Sequence, residues 1–387
     1  MTTTVGFITP EYPHGSVRQT AGIGTSLGNL VPELVKKGIR VILFVYGQDA
    51  DEEIAEDGYI LYRIKNRNYR FAGWYFNRKF LQDFISQKIR IHTINIIEAP
   101  DWTGITAFCS FPVPLVMRFH GSDTYFCHLE KRPQKWKNRW FEKVAAKNAD
   151  AFVAPTKFAA ELSASLLEIK KPVEVIYNGL STDKFKNQTP LDFDSGLLLY
   201  TGTLIRKKGV LELPAILKEV WKKYPNARLV LIGGDAPDIK TGHQSTWQLI
   251  QESIDAEKRH LVEWLGKIPY QQMQQHILKA QVCLYPTFAE TMGMVTIEAM
   301  AMQKPVVSSN FGWVSEIMED GKSGFMEDPT NHGDFAQKIA MLLSDNELCY
   351  QIGKNAREFV SAKFDSKMIA EKNIAFYQQI LKNLTQT

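Results

Sequence analysis

Three short stretches of this 387-residue chain combine cations, carboxylates and glycine in patterns suited to a phosphorylated ligand. The first, GTLIRKKG at 202–209, follows an apolar run ending at Thr201 and precedes a helical pattern that begins near Val210. Arg206, Lys207 and Lys208 would then stand at the positive end of a helix dipole, which is unfavourable unless an anion neutralises them. The second, PTFAETMGMVTIEAMA at 286–301, puts Glu290 in a loop, Gly293 at the opening turn of a helix and Glu298 inside that helix. An ionised carboxylate accepts two hydrogen bonds from a diol, so both acids suit sugar hydroxyls, and amides near Gly293 suit a diphosphate. Glu298 lies among Ile297, Ala299 and Met300, unusual company for a surface acid. The third, EYPHGSVRQTAGIG at 11–24, has Gly22 and Gly24 before a helix, where backbone can come close to an anion, but it does not match the dinucleotide fingerprint G-x-G-x-x-G.

These stretches need strands and helices to hold them. Short β-rich runs at 5–9, 41–46, 93–98, 115–119, 151–154 and 173–177 alternate with longer segments, of which 24–37 is helical, ending in Lys-Lys before Gly38. The spacing predicts parallel pairing through crossovers. The polar stretch NQTPLDFDSG after Lys186 reads as a linker, and the pattern restarts with strands at 197–200, 229–232, 261–264, 282–285 and 306–308. Helices are expected near 210–224, 271–279 and 294–302, and from 335 to the end, with the last one packing back on the first domain. The expected fold is α/β, two doubly wound parallel-sheet domains facing across a cleft, divided as 1–188, 189–365 and a returning helix 366–387. Ligands of such sheets bind beyond the strand carboxyl ends.

Composition narrows the function classes. Hydrophobic residues are 44% and charged residues 23%, an ordinary globular balance, and a net charge of +4 is too small to argue for nucleic acid. Four scattered cysteines without C-x-x-C give no zinc or redox motif and suit a reducing cytosol. The N-terminus lacks the pattern of a signal peptide, and no apolar run approaches the ~18 residues needed to span a bilayer. Asp235 and Asp238 in GGDAPD read as turn residues rather than a metal-binding D-x-D, so no metal ligand is assigned.

FAETMGMVTIEAMA, followed by KPVVSSNFGWVSEIMEDGKSGFMEDP, resembles the signature of retaining GT-B glycosyltransferases of family 4, with Glu290 and Glu298 as its E-x7-E pair. HGSD at 120–123, NGLSTDKF at 178–185 and GTLIRKKG extend the likeness over nearly the whole chain. The resemblance implies that Glu290 contacts the transferred sugar and Glu298 the ribose. It implies that Lys208 holds the donor diphosphate with amides near Gly293, Met294 and the loop of Gly22 and Gly24. The backbone at Ile268 would touch the nucleobase and His120 would lie beside the donor sugar. Thr203 stands where the family usually has Arg, which leaves Arg206 to supply that charge. The implied reaction needs no cofactor or metal and moves a sugar from a UDP- or GDP-sugar to a glycan or lipid-linked acceptor, in cell-surface polysaccharide or glycolipid synthesis. A sugar-nucleotide epimerase and a non-catalytic sugar-nucleotide-binding subunit are the competing readings.

From Arg63 to Arg90 eight cations face the single acid Asp83, with seven aromatic residues interleaved, and KRPQKWKNRW at 131–140 is also basic. Such a mixture suits an anionic membrane surface, or a lipid-linked acceptor held at one, and predicts a cytoplasmic protein peripheral to the inner face of the plasma membrane. Single-stranded nucleic acid is disfavoured because no recognition motif for it accompanies the basic stretch.

Overall fold

The computed structural model describes residues 3–18 and 21–384. It divides into two compact units, Met1–Ser181 with Phe364–Thr387, and Thr182–Lys363. These divisions differ from the expected 188/189 and 365/366. Arg357 donates to the carbonyls of Thr182 and Phe185, and Asn187 donates to the Met302 carbonyl at 3.0 Å, so residues 182–188 are held by the second unit.

The first unit is built on strands β1 (Thr4–Thr9), β2 (Arg40–Gln48), β3 (Glu52–Glu56), β4 (Tyr59–Lys65), β5 (Ile96–Pro100), β6 (Leu115–Arg118), β7 (Ala151–Ala154) and β8 (Val173–Val175). Their order is β3-β4-β2-β1-β5-β6-β7-β8, parallel except for the β3–β4 hairpin. Helices α1 (Gly22–Lys36), α2 (Gly73–His92), α3 (Asp123–Leu129), α4 (Trp136–Asn148) and α5 (Lys157–Leu167) accompany the sheet. All six residues of β1 are buried, as a central parallel strand covered on both faces requires. The β3–β4 hairpin escaped the sequence reading because β3 is EEIAE, mostly exposed and without apolar alternation. Its signal was the connecting Asp57-Gly58, a turn pair that allows the positive φ of +85° found at Gly58.

The second unit carries β9 (Leu197–Thr201), β10 (Arg228–Ile232), β11 (Val262–Trp264), β12 (Val282–Tyr285), β13 (Val306–Ser309) and β14 (Phe325–Glu327), all parallel in the order β11-β10-β9-β12-β13-β14. Its helices are α6 (Leu213–Trp221), α7 (Thr246–Glu252), α8 (Tyr270–Lys279), α9 (Met294–Ala301), α10 (Val314–Ile317), α11 (His332–Ser344) and α12 (Asn346–Phe364). The winding direction reverses between β9 and β12, so the loops after these two strands flank a topological switch point, the place where open α/β sheets bind ligands.

The chain returns to the first unit at Phe364, and α13 (Ser366–Leu384) joins its core, burying Ile369, Ala370 and Tyr377 with Val31 and Leu34. A buried ion pair anchors it: Arg118 on β6 grips both oxygens of Glu98 on β5 at 2.6 and 3.0 Å, and also donates to Asn373. The Tyr377 hydroxyl donates to the same Glu98 at 2.7 Å. Both charged side chains are 3% exposed, so their hydrogen bonds must replace the water lost on burial.

Candidate active site

The site is assembled at the carboxyl ends of neighbouring strands of the second unit. After β9 the backbone turns at Gly202, whose carbonyl oxygen would lie 1.9 Å from a Cβ on Gly233, so the ends of β9 and β10 meet backbone to backbone. Thr203 contributes its carbonyl, which accepts from the Tyr200 hydroxyl at 3.1 Å. Residues Arg206–Lys208 form a single 3-10 turn, while α6 begins only at Leu213. The three cations therefore precede the helix by more than a turn, a correction to their expected place at its N-terminus. Gly209 closes the turn at φ +68°, and a Cβ there would lie 1.7 Å from the Pro286 carbonyl oxygen. The Lys207 carbonyl accepts from the amides of Phe288 at 2.9 Å and Ala289 at 3.2 Å. The loop after β9 is thereby fastened to the loop after β12.

This fastening brings Lys208 onto Glu290. Their side chains form an ion pair, 17% and 20% exposed respectively. Burial, with the Lys207 charge beside it, pushes the Lys208 ammonium down to about 7. The paired carboxylate favours the charged form and works against that shift. Arg206 turns elsewhere: it grips both oxygens of Asp238 at 2.7 Å. That arginine, aided by Thr241, holds the Asp238 carboxyl well below its usual range. The anion demanded by three adjacent cations is thus supplied in part by the chain itself, through Glu290 and Asp238. Arg206 is held by the 235–241 loop, with its charge paired to Asp238. Asp238 is a turn residue, accepting from the Thr241 amide and hydroxyl, and Asp235 accepts from Ser245 and from the Trp247 amide at the start of α7.

Four residues beyond Glu290, α9 starts at Met294 behind Gly293, whose φ of +84° favours glycine. The first N–H groups of a helix have no partner within it, so those near Gly293 and Met294 can receive an anion. Glu298 lies just over a turn into α9 and is 5% exposed. Burial pushes its carboxyl up to about 7, opposed by the Tyr270 hydroxyl, which donates to Oε1 at 2.8 Å. Tyr270 is the first residue of α8, two positions after Ile268. The loop that contains Ile268 is tied to the β10 end, because Gly233 donates to the Gly266 carbonyl and the Trp264 indole donates to the Gly233 carbonyl. Tyr270 therefore links the Ile268 loop to the acid on α9. Nothing in the sequence marked Tyr270, since its partner lies 28 residues away.

Gly22, Gly24 and His120 belong to the first unit. Gly22 opens α1, and the Gly24 amide is already taken by the Glu11 carboxylate at 2.9 Å, so this helix start carries an anion of its own. Gln19 and Thr20 of the same stretch lie outside the described residues. His120 follows β6; burial and the Arg118 charge push its imidazole down to about 3, leaving it neutral near pH 7. Its amide donates to Asp101 at 2.9 Å. Burial pushes the Asp101 carboxyl up to about 7, although that amide opposes the shift. Asp101 was not singled out by the sequence. Among the described residues, no cluster of three His, Cys, Asp or Glu is arranged to hold a metal ion.

Two doubly wound parallel-sheet units, with the loops after β9 and β12 of the second flanking its switch point, have the architecture of the GT-B glycosyltransferases. The chain matches Glycosyltransferase Family 4 over residues 20–184 and Glycosyl transferases group 1 over residues 181–359. It belongs to this family of enzymes. It is 26% identical to the uncharacterized glycosyltransferase MJ1178 of Methanocaldococcus jannaschii, over 89% of this chain and 90% of that one. It is 28% identical to the capsular polysaccharide biosynthesis glycosyltransferase CapM of Staphylococcus aureus, over 49% of this chain and 47% of the relative. The fold also matches Anabaena HepE, solved in complex with UDP-glucose, with a TM-score of 0.70 and 18% identity over 99% of this chain and 100% of that one.

Proposed function

We propose that this glycosyltransferase moves a sugar from a UDP- or GDP-sugar, with retention and without a metal, to a hydroxyl of a glycan or lipid-linked acceptor. The observation that carries the reading is the Lys208–Glu290 ion pair at the switch point, followed at once by the helix that bears Glu298. Sugar transfer makes the anomeric carbon oxocarbenium-like while negative charge grows on the departing diphosphate, and groups that meet this charge lower the barrier. Lys208, released from Glu290, meets the diphosphate together with the amides that open α9. Glu290 then turns its carboxylate to the sugar hydroxyls, so the pair exchanges partners on donor binding. Glu298, ionised, accepts from the ribose diol, and the Ile268 backbone touches the base.

The acceptor attacks on the face the phosphate leaves, and a phosphate oxygen takes its proton. This scheme calls on no protein base, and His120 is neutral near pH 7. The UDP-glucose found with HepE supports a uridine donor, and the CapM relative supports surface polysaccharide as the product class. A panel of UDP- and GDP-sugars tested for thermal stabilisation identifies the donor. Proton NMR of the product formed in chelator then reads the anomeric configuration; an inverted product, or activity abolished by the chelator, overturns the reading.

A further inference from the structure

The cations counted between Arg63 and Arg90 are largely spoken for. Arg63 pairs with Asp49 and Glu52, Arg67 with Asp51, and Lys88 with Glu53, all acids that lie outside that window. Arg78 is buried and donates to three carbonyls, while Lys79 donates to the Phe108 carbonyl. The count of basic residues therefore overstates the free charge of this stretch.

The uncompensated charge lies instead at the start of α4. Among the described residues Lys131, Lys135, Lys137 and Arg139 form no ion pair, and the single acid of α4, Glu142, is buried against Thr124. Neither α2 nor α4 has an acid in its first turn, so two positive helix ends add to these cations. Large apolar rings stand in the same place. Phe71 is 73% and Trp136 77% exposed, with Phe76 and Trp140 also exposed. A run of ring contacts from Phe76 through Tyr75 and Trp74 to Trp140, at 5.5, 5.9 and 6.1 Å, makes the start of α2 and the start of α4 one continuous surface. Lys137 lies over the Trp74 ring at 4.7 Å and Arg70 over Phe71 at 5.4 Å.

We propose that Phe71, Phe76, Trp136 and Trp140, with Lys135 and Arg139 among them, form a docking surface for an anionic phospholipid bilayer. Aromatic rings enter the headgroup boundary, where one face is apolar and the edge is wet, and the cations meet lipid phosphates. No helix of the described residues is long and apolar enough to cross a membrane, so contact of this kind is from the surface. The proposal goes beyond the donor-site reading, and its test needs no sugar donor, so the two fail separately.

The test is flotation of the full-length protein with phosphatidylcholine vesicles, with and without phosphatidylglycerol. Binding is expected only to the anionic vesicles, and it should fall as salt rises from about 0.1 to 1 M. At about fivefold per cation, Lys135→Gln/Lys137→Gln/Arg139→Gln should weaken binding roughly a hundredfold. Phe71→Ser/Trp136→Ser should remove the blue shift of tryptophan emission and most of the binding, with wild-type circular dichroism. Equal binding to neutral vesicles, or unaltered binding by both variants, overturns the proposal. So does a preference for single-stranded nucleic acid, or a dimer in sedimentation that the Phe71→Ser/Trp136→Ser variant abolishes.

Discussion

Tyr270→Phe removes one hydroxyl and leaves the ring in place, isolating the hydrogen bond to Glu298. A hydrogen bond to a charged group contributes about 1.5–3 kcal/mol. Converted at about 1.4 kcal/mol per decade, its loss should raise the Glu298 pKa from about 7 to roughly 8 or 9. The ionised fraction at pH 7 then falls from about a half to about a tenth or a hundredth. If ionised Glu298 holds the ribose, calorimetric titration with the donor nucleotide should show affinity reduced roughly five- to fiftyfold at pH 7, recovering toward wild type near pH 9. Stability should move too: a carboxyl whose folded pKa is raised contributes stability below its unfolded pKa that is lost as pH rises through the folded value. In the variant this decline should extend to higher pH. A loss of affinity that is the same at every pH, or tighter binding, would refute the assignment of Tyr270 and Glu298 to one nucleotide pocket.

The ion pair and the arginine clamp give further outcomes. Glu290→Gln should cut turnover with a smaller change in nucleotide affinity, and should make that affinity fall more steeply above pH 7, because a buried Lys208 without its partner loses its proton more readily; pH-resolved calorimetry checks it. Arg206→Ala should lower thermal stability by leaving Asp238 buried and unpaired, a cost of about 1–3 kcal/mol. Adding Asp238→Asn should restore part of it in a melting experiment, whereas a direct phosphate contact by Arg206 would show no such rescue.

The architecture was legible because parallel strands buried on both faces are short continuous apolar runs, and β7 and β12 fall on the residues the pattern gave. The hairpin β3–β4 was not, since its edge strand is acidic and only the Asp-Gly turn betrayed it. Short-range chemistry was readable as well: the cationic turn, Gly293 and the two acids all gather at the ends of β9 and β12. What could not be read is which charge meets which. Three neighbouring cations looked alike in sequence, yet the fold sends Lys208 to Glu290 and Arg206 to Asp238, partners 82 and 32 residues away. The same holds for the basic stretch at 63–90, where Arg63, Arg67 and Lys88 pair with acids just upstream of it.

Nucleotide titration of the wild-type protein beside Lys208→Ala and Glu298→Ala tests the central claim most directly. One diphosphate ligand spanning both residues predicts saturable binding of a UDP- or GDP-sugar that each substitution weakens by about ten- to a hundredfold, the loss of a charge-assisted contact. Unchanged affinity in either variant would mean that the cationic turn and the acid on α9 do not share a ligand.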